Sequence, residues 1–285
     1  MTKKNEKIIR LVRNKGLMIG GIILLLLTII ALAAPVISPY DPNSTNLQER
    51  LVRPFSESKI GNYHVFGTDS LGRDLLSRII YGTRISLLVG LFGSIGAGLV
   101  GVTLGAIAGY YGRHIDSIIM RATDIGLSIP FVLLAMSVSL VLGSGLANVI
   151  LVLSVTGWMN FARVTRGAAM KIRKEQYIEA ATVYNCPSSR IIFRQMIPNL
   201  IAPIIVICSQ QFGVMIYSEA TLSFLGFGVP VDVPTWGRMI SDGQAYISNY
   251  WWISTIPGIV LTITVIAAFL FGDGLRDYLD PKLSE

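Results

Sequence analysis

Glu179, with Ala180 and Ala181 directly after it and Asn185 six positions on, is the carboxylate whose surroundings suggest a task. Two alanines leave room for another backbone to come close, and an exposed carboxylate accepts a charge-assisted hydrogen bond from an Arg or Lys of a second protein. That is docking chemistry, and bond-making chemistry has no comparable foothold. His64 and His114, the two histidines, lie far apart with no matching ligand cluster, and no Ser, His and Asp arrangement stands out. No Gly-Lys dipeptide occurs, so the phosphate-binding G-x-x-x-x-G-K-[ST] loop is missing. The residues predict no catalytic group, no metal and no cofactor held by this chain.

The stretch around Glu179, from Lys171 to Pro198, reads as a helix, a break and a second helix. Tyr177, Ala181 and Tyr184 share a helical face, while Lys171, Lys174, Glu175 and Thr182 are polar. Asn185 tolerates the left-handed conformation that ends a helix, and Pro187 can open the next. By residue type alone, an amphipathic loop resting on lipid headgroups fits equally well.

Composition sets what surrounds this stretch. The 285 residues are 52% hydrophobic and 14% charged, against about a quarter charged in soluble domains. Charges vanish from Gly16 to Tyr40, Ile85 to Gly112, Gln195 to Ser218 and Gly243 to Gly272. At about 1.5 Å per residue each block can cross roughly 30 Å of hydrocarbon. The block Ile125 to Ala162 is too long for one span, and Gly143-Ser144-Gly145 divides it. The prediction is an all-α polytopic membrane protein of about six transmembrane helices, starting near Gly16, Ile85, Ile119, Ala147, Asn199 and Trp252. Residues 1–15 form an N-terminal tail and 16–285 a single membrane domain.

A net charge of +7 raises the question of nucleic acid, but the basic residues follow a membrane pattern instead. With the N-terminus cytoplasmic, the inner segments hold Lys3 to Lys15, then Arg113 and Arg121, then the cluster Arg163 to Arg194, then Arg276 and Lys282, whereas the short outer connections hold only Arg238. The long segment 39–84 carries both signs, and long translocated loops are poorly governed by charge. Segments 39–84 and 220–250 then lie outside and 163–197 inside. The first block exceeds a typical signal-peptide core, so a retained helix is favoured over a cleaved leader. Cys186 and Cys208 imply no structural disulfide.

Glu179-Ala180-Ala181, the break residue Asn185 and the far Ile197-Pro198 resemble the "EAA" motif of ABC importer permeases, with Asn185 for the usual Gly and Ile197 for the usual Leu. The stretch Phe66-Gly67-Thr68-Asp69-Ser70-Leu71-Gly72-Arg73-Asp74-Leu75-Leu76-Ser77-Arg78 and Gly82 to Leu87 look like the signature before the second span of dipeptide, oligopeptide and nickel permeases. So does Leu222-Ser223-Phe224-Leu225-Gly226-Phe227-Gly228 followed by Pro234-Thr235-Trp236-Gly237. Together they are similar to the "C" type subunit and cover nearly the whole chain.

The resemblance implies a type I ABC importer permease architecture and half of a translocation pathway in a bacterial or archaeal cytoplasmic membrane. It implies as partners a homologous permease subunit, two cytoplasmic ATPases carrying ATP and Mg, and an extracytoplasmic solute-binding protein. Glu179, Ala180, Ala181, Asn185, Ile197 and Pro198 would form the segment that docks in a groove of the ATPase. Peptide is the expected cargo, with nickel or metal chelates as the alternative. Around Gly72, Asp69, Arg73 and Asp74 are either contacts for the binding protein or part of a surface turn, with Asp74 and Arg78 spaced for an i, i+4 pair.

An ion-coupled carrier is the main rival. Such carriers place carboxylates at mid-membrane, whereas Asp124 and Glu219 fall near the proposed span ends, and no inverted repeat is evident. Gly90 to Gly109 recur in the second span, and Gly101 with Gly105 makes a small-xxx-small pair suited to close packing.

Overall fold

The computed structural model describes residues 14–279. Five helices are long and apolar enough to cross a bilayer: α1 Lys15–Ile37, α2 Leu75–Tyr111, α5 Leu146–Ile172, α7 Ile201–Phe224 and α9 Trp252–Leu279. Between α2 and α5 lie α3 Arg113–Ser128 and α4 Phe131–Leu142, bent by 95° at their junction, which bring the count to six if the pair is one broken span. Two further helices, α6 Gln176–Val183 and α8 Trp236–Gln244, are short and lie in connections.

Two span boundaries differ from the sequence expectation. The second span begins at Leu75, ten residues before Ile85, because Asp74 caps it by accepting a hydrogen bond from the Ser77 amide at 2.8 Å. The expected third span from Ile119 is not one helix. Its first half is the amphipathic α3, and Pro130 ends it, because proline lacks the amide that would bond the Gly126 carbonyl.

The glycine ladder of α2 packs tightly. A Cβ on Gly105 would meet the Ala162 carbonyl oxygen at 2.5 Å, and one on Gly101 would collide with the Trp158 carbonyl, so α2 and α5 touch backbone to backbone. Val89, Ala97 and Val102 of α2 join Val149, Leu153 and Phe161 of α5 and Met215 of α7 in the largest buried cluster.

Residues 38–74 cap one end of the bundle. Ser56–Glu57 and Tyr63–His64 pair as a small antiparallel hairpin, and the Trp252 indole at the start of α9 donates to the Thr68 carbonyl at 3.4 Å. Pro234-Thr235-Trp236-Gly237 belongs to the same end. The Thr235 hydroxyl caps α8, the fully buried Trp236 donates to the Ile79 carbonyl at 3.3 Å, and Gly237 lies against the backbone of Ala220. The α6 segment caps the opposite end.

Candidate functional site

α5 ends with Arg173 as its cap, and a turn through Lys174 and Glu175 leads into α6. Ile178 and Ala181, three apart and therefore on one face, are 1% and 9% exposed and pack with the fully buried Ile191, beside Tyr110, Ile172 and Cys186. Glu179 and Ala180 point away from that contact and are exposed. The expected apolar face through Tyr177, Ala181 and Tyr184 is corrected here. Tyr177 is 45% and Tyr184 83% exposed, because the helix anchors through Ile178 instead of the tyrosines.

Asn185 ends α6 with φ +53°. The Cys186 amide bonds the Ala181 carbonyl at 3.0 Å and the Asn185 amide the Thr182 carbonyl at 3.0 Å, the paired bonds of a Schellman cap. Asparagine thus performs the turn for which glycine is the usual choice. Pro187 precedes a short turn, Ser188–Arg190, which continues as a six-residue π-helix, Ile191–Met196, and a last turn, Ile197–Asn199. Pro198 has no amide for the Arg194 carbonyl, and the Asn199 side chain bonds the Gln195 carbonyl at 2.6 Å. Ile192 and Met196 of the π-helix pack on Ala106, Ala169 and Leu200, with Ile197 half-buried beside them and Pro198 exposed. The site is a short helix held by one face, its Glu-Ala edge open at the end of the bundle.

A family model for the inner-membrane component of binding-protein-dependent transport systems matches residues 101–285, which includes this whole site. The chain belongs to that permease family. A second model, for the N-terminal transmembrane domain of oligopeptide transport permease C, matches residues 6–54. This permease is 40% identical over 96% of its length, and 88% of the relative's, to a dipeptide transport system permease protein of Alkalihalophilus pseudofirmus. It is 37% identical over 98% of its length, and 89% of the relative's, to an oligopeptide transport system permease protein of Bacillus subtilis. A solved chain of the MetNI methionine ABC transporter, inward facing, superposes with a TM-score of 0.59 at 17% identity, covering 71% of the permease and 96% of that chain. The architecture is that of a type I importer permease, and the protein is a multi-pass component of the inner membrane.

At the capped end of the permease, Asp69, Arg73 and Asp74 are 3%, 6% and 3% exposed. Asp69 accepts from the Arg73 guanidinium at 2.6 Å and from the amides of Leu71 and Arg73. Asp74 caps α2 and faces Nδ1 of His64 at 2.9 Å, and the other ring nitrogen faces Glu49 at 3.4 Å. The expected Asp74–Arg78 pair does not form, since Arg78 instead bonds the Pro42 carbonyl at 3.3 Å and lies 3.8 Å from Asp69. These buried side chains bond one another and the start of α2, and so scaffold the cap. Burial of Glu49 opposes its charge, yet hydrogen bonds from Ser58, Asn62 and His64 outweigh it and hold its carboxyl below the usual range.

Glu219 lies five residues from the C-terminal end of α7, near a span end as the sequence suggested, and what the sequence did not disclose is that it is fully buried. Ser223 donates to it at 2.6 Å and Ser86 of α2 at 3.4 Å. The available signal was that Glu219 is the one charged residue in a 24-residue membrane-crossing helix. Among the described residues no group of His, Cys, Asp and Glu is arranged to hold a metal ion.

Proposed function

We propose that this permease forms half of a peptide translocation pathway, pairing with a homologous permease subunit and receiving cargo from an extracytoplasmic solute-binding protein. The cargo assignment rests on relatives named as dipeptide and oligopeptide permeases over nearly their full length. Two cytoplasmic ATPase subunits supply ATP hydrolysis with Mg, and this chain performs no bond chemistry. Its N-terminus is cytoplasmic, which puts α6 inside and the 38–74 cap outside. The observation that carries the coupling role is that α6 turns Ile178 and Ala181 inward while leaving Glu179 and Ala180 free on the exposed side. A docked ATPase would grip that edge, and closure of the two ATPases on ATP would draw the paired α6 helices together and open the pathway outward.

The test is reconstitution of the permease with its partner subunits in liposomes. Uptake of labelled di- and oligopeptides should require ATP and the binding protein. Uptake of a nickel chelate in place of peptides would overturn the cargo assignment and leave the coupling role standing.

A further inference from the structure

The hairpin of the cap is built inside out. In an antiparallel pair with one buried face, apolar side chains ordinarily turn inward and polar ones toward solvent. Here the inward side chains are polar: Ser58 and Asn62 donate to Glu49 at 2.7 and 2.8 Å, and His64 faces Asp74 at 2.9 Å. Tyr63 turns outward and is 48% exposed, Phe55 at the mouth of the hairpin is 68% exposed, and Ile60 at its turn 49%. Phe55 also holds φ +56°, a conformation costly for a bulky side chain. Its amide is fixed there by the carbonyls of His64 at 3.0 Å and Val65 at 3.2 Å.

The level of this face follows from the spans. α1 and α9 run antiparallel in contact, with Leu17 against Gly274 and Gly20 against Ala267 and Phe271, so Ile37 comes level with the first turn of α9. The 23 residues of α1 measure about 35 Å, little more than the roughly 30 Å of hydrocarbon. Its apolar side stays exposed to the last turn, with Leu32 at 79% and Val36 at 87%. One turn beyond Val36, the Tyr40 amide donates to the Ser77 hydroxyl at 3.1 Å and the Tyr40 hydroxyl to the Tyr63 carbonyl at 3.0 Å. Trp251, immediately before α9, is 53% exposed. The apolar exposed side of α1 therefore continues through Tyr40 into the outward face of the hairpin, at the level where tryptophan and tyrosine gather on membrane proteins.

We infer that the hairpin from Phe55 to His64 is a lipid-contacting arm, its outward face resting on the headgroup region of the bilayer leaflet at the capped end. A tyrosine ring, apolar in body and polar at its tip, suits that layer. The Glu57 carboxylate, exposed opposite Tyr63, keeps the face from sinking into hydrocarbon, and the exposed Lys59 beside the turn is placed to reach a lipid phosphate. The inference rests on the membrane location of the chain and not on its cargo or its ATPase partners, so lipid contact at the hairpin and peptide uptake can fail separately.

The experiment uses the complete complex in phosphatidylcholine nanodiscs, with Cys186→Ser and Cys208→Ser as background and a bimane fluorophore on Phe55→Cys. The same complex without the introduced cysteine supplies the blank. Replacing part of the lipid by one that carries a nitroxide high on its acyl chain should at least halve the bimane fluorescence, and addition of the solute-binding protein should leave that quenching in place. Tyr63→Cys, on the outward face, is the second site should Phe55→Cys fail to assemble. Equal fluorescence with and without the nitroxide lipid, or quenching that the binding protein abolishes, overturns the assignment, the second result giving the face to that protein instead.

Discussion

Ile178 of α6 packs against Ile191, the first residue of the π-helix, and the two side chains are 1% and 0% exposed. This contact is what allows an eight-residue helix, too short to be stable alone, to keep its shape at the end of the bundle. Ile178→Ala should remove about 2–5 kcal/mol of buried contact and cavity energy, borne locally. Limited proteolysis should then cut between Gln176 and Asn185 at a raised rate, while the transmembrane helices stay protected.

Glu179→Lys should leave the membrane domain folded and disrupt its assembly with the ATPases. The residue is exposed, so the fold does not depend on it, and loss of one hydrogen-bonded charge pair at an interface costs about 2–5 kcal/mol. Glu175→Lys, at the cap of the same helix, is the control. Uptake and ATPase co-purification measured side by side decide the matter, and a Glu179→Lys complex with its full uptake and its ATPases refutes docking through this residue.

Glu219→Ala should destabilise the permease by about 1–3 kcal/mol, because it strands the buried hydroxyls of Ser86 and Ser223. Glu219→Gln keeps an acceptor oxygen and should cost less. Thermal unfolding in detergent orders the three proteins, and equal loss in both variants contradicts the hydrogen-bond account.

The cap should be acid-labile. Glu49 has a folded pKa below its ordinary value, so its contribution is complete above that value, about 4.3, and is lost as pH falls through the lower folded one. Trp252, bonded to Thr68 in the cap, is a natural reporter. The part of the tryptophan fluorescence that Trp252→Phe removes should hold steady from neutral pH to about pH 5 and change on further acidification, with a smaller change in Glu49→Gln.

Gly105→Val should prevent the α2–α5 contact, since even a Cβ lies 2.5 Å from the Ala162 carbonyl oxygen. Overpacking of this kind costs about 1–3 kcal/mol or more. Gly258→Ala, with no atom within 4 Å of the added carbon, should be silent in the same expression and melting assay.

What the sequence disclosed follows from how local each feature is. The Asn185 turn and the Gly101–Gly105 packing were legible because left-handed backbone and close helix approach act through residue type at one position. The bend at Pro130 was not, because Ile119 to Leu142 is apolar enough on average to resemble one straight span. Asp69, Arg73 and Asp74 looked like surface residues because charge usually marks exposure. Their burial depends on Glu49, His64 and Asp242, partners scattered over nearly 200 positions that no spacing rule connects.

At 37 residues, α2 is a rod of about 55 Å. Asp74 fastens one end into the cap, and Tyr110, at the other, touches Ser188 and the α6 cluster. A stiff member fixed at both faces of the membrane carries load in either direction. In the proposed assembly, a binding protein docked on the cap and an ATPase docked on α6 would press on the two ends of the same strut, so each end would sense the other without any messenger passing between them.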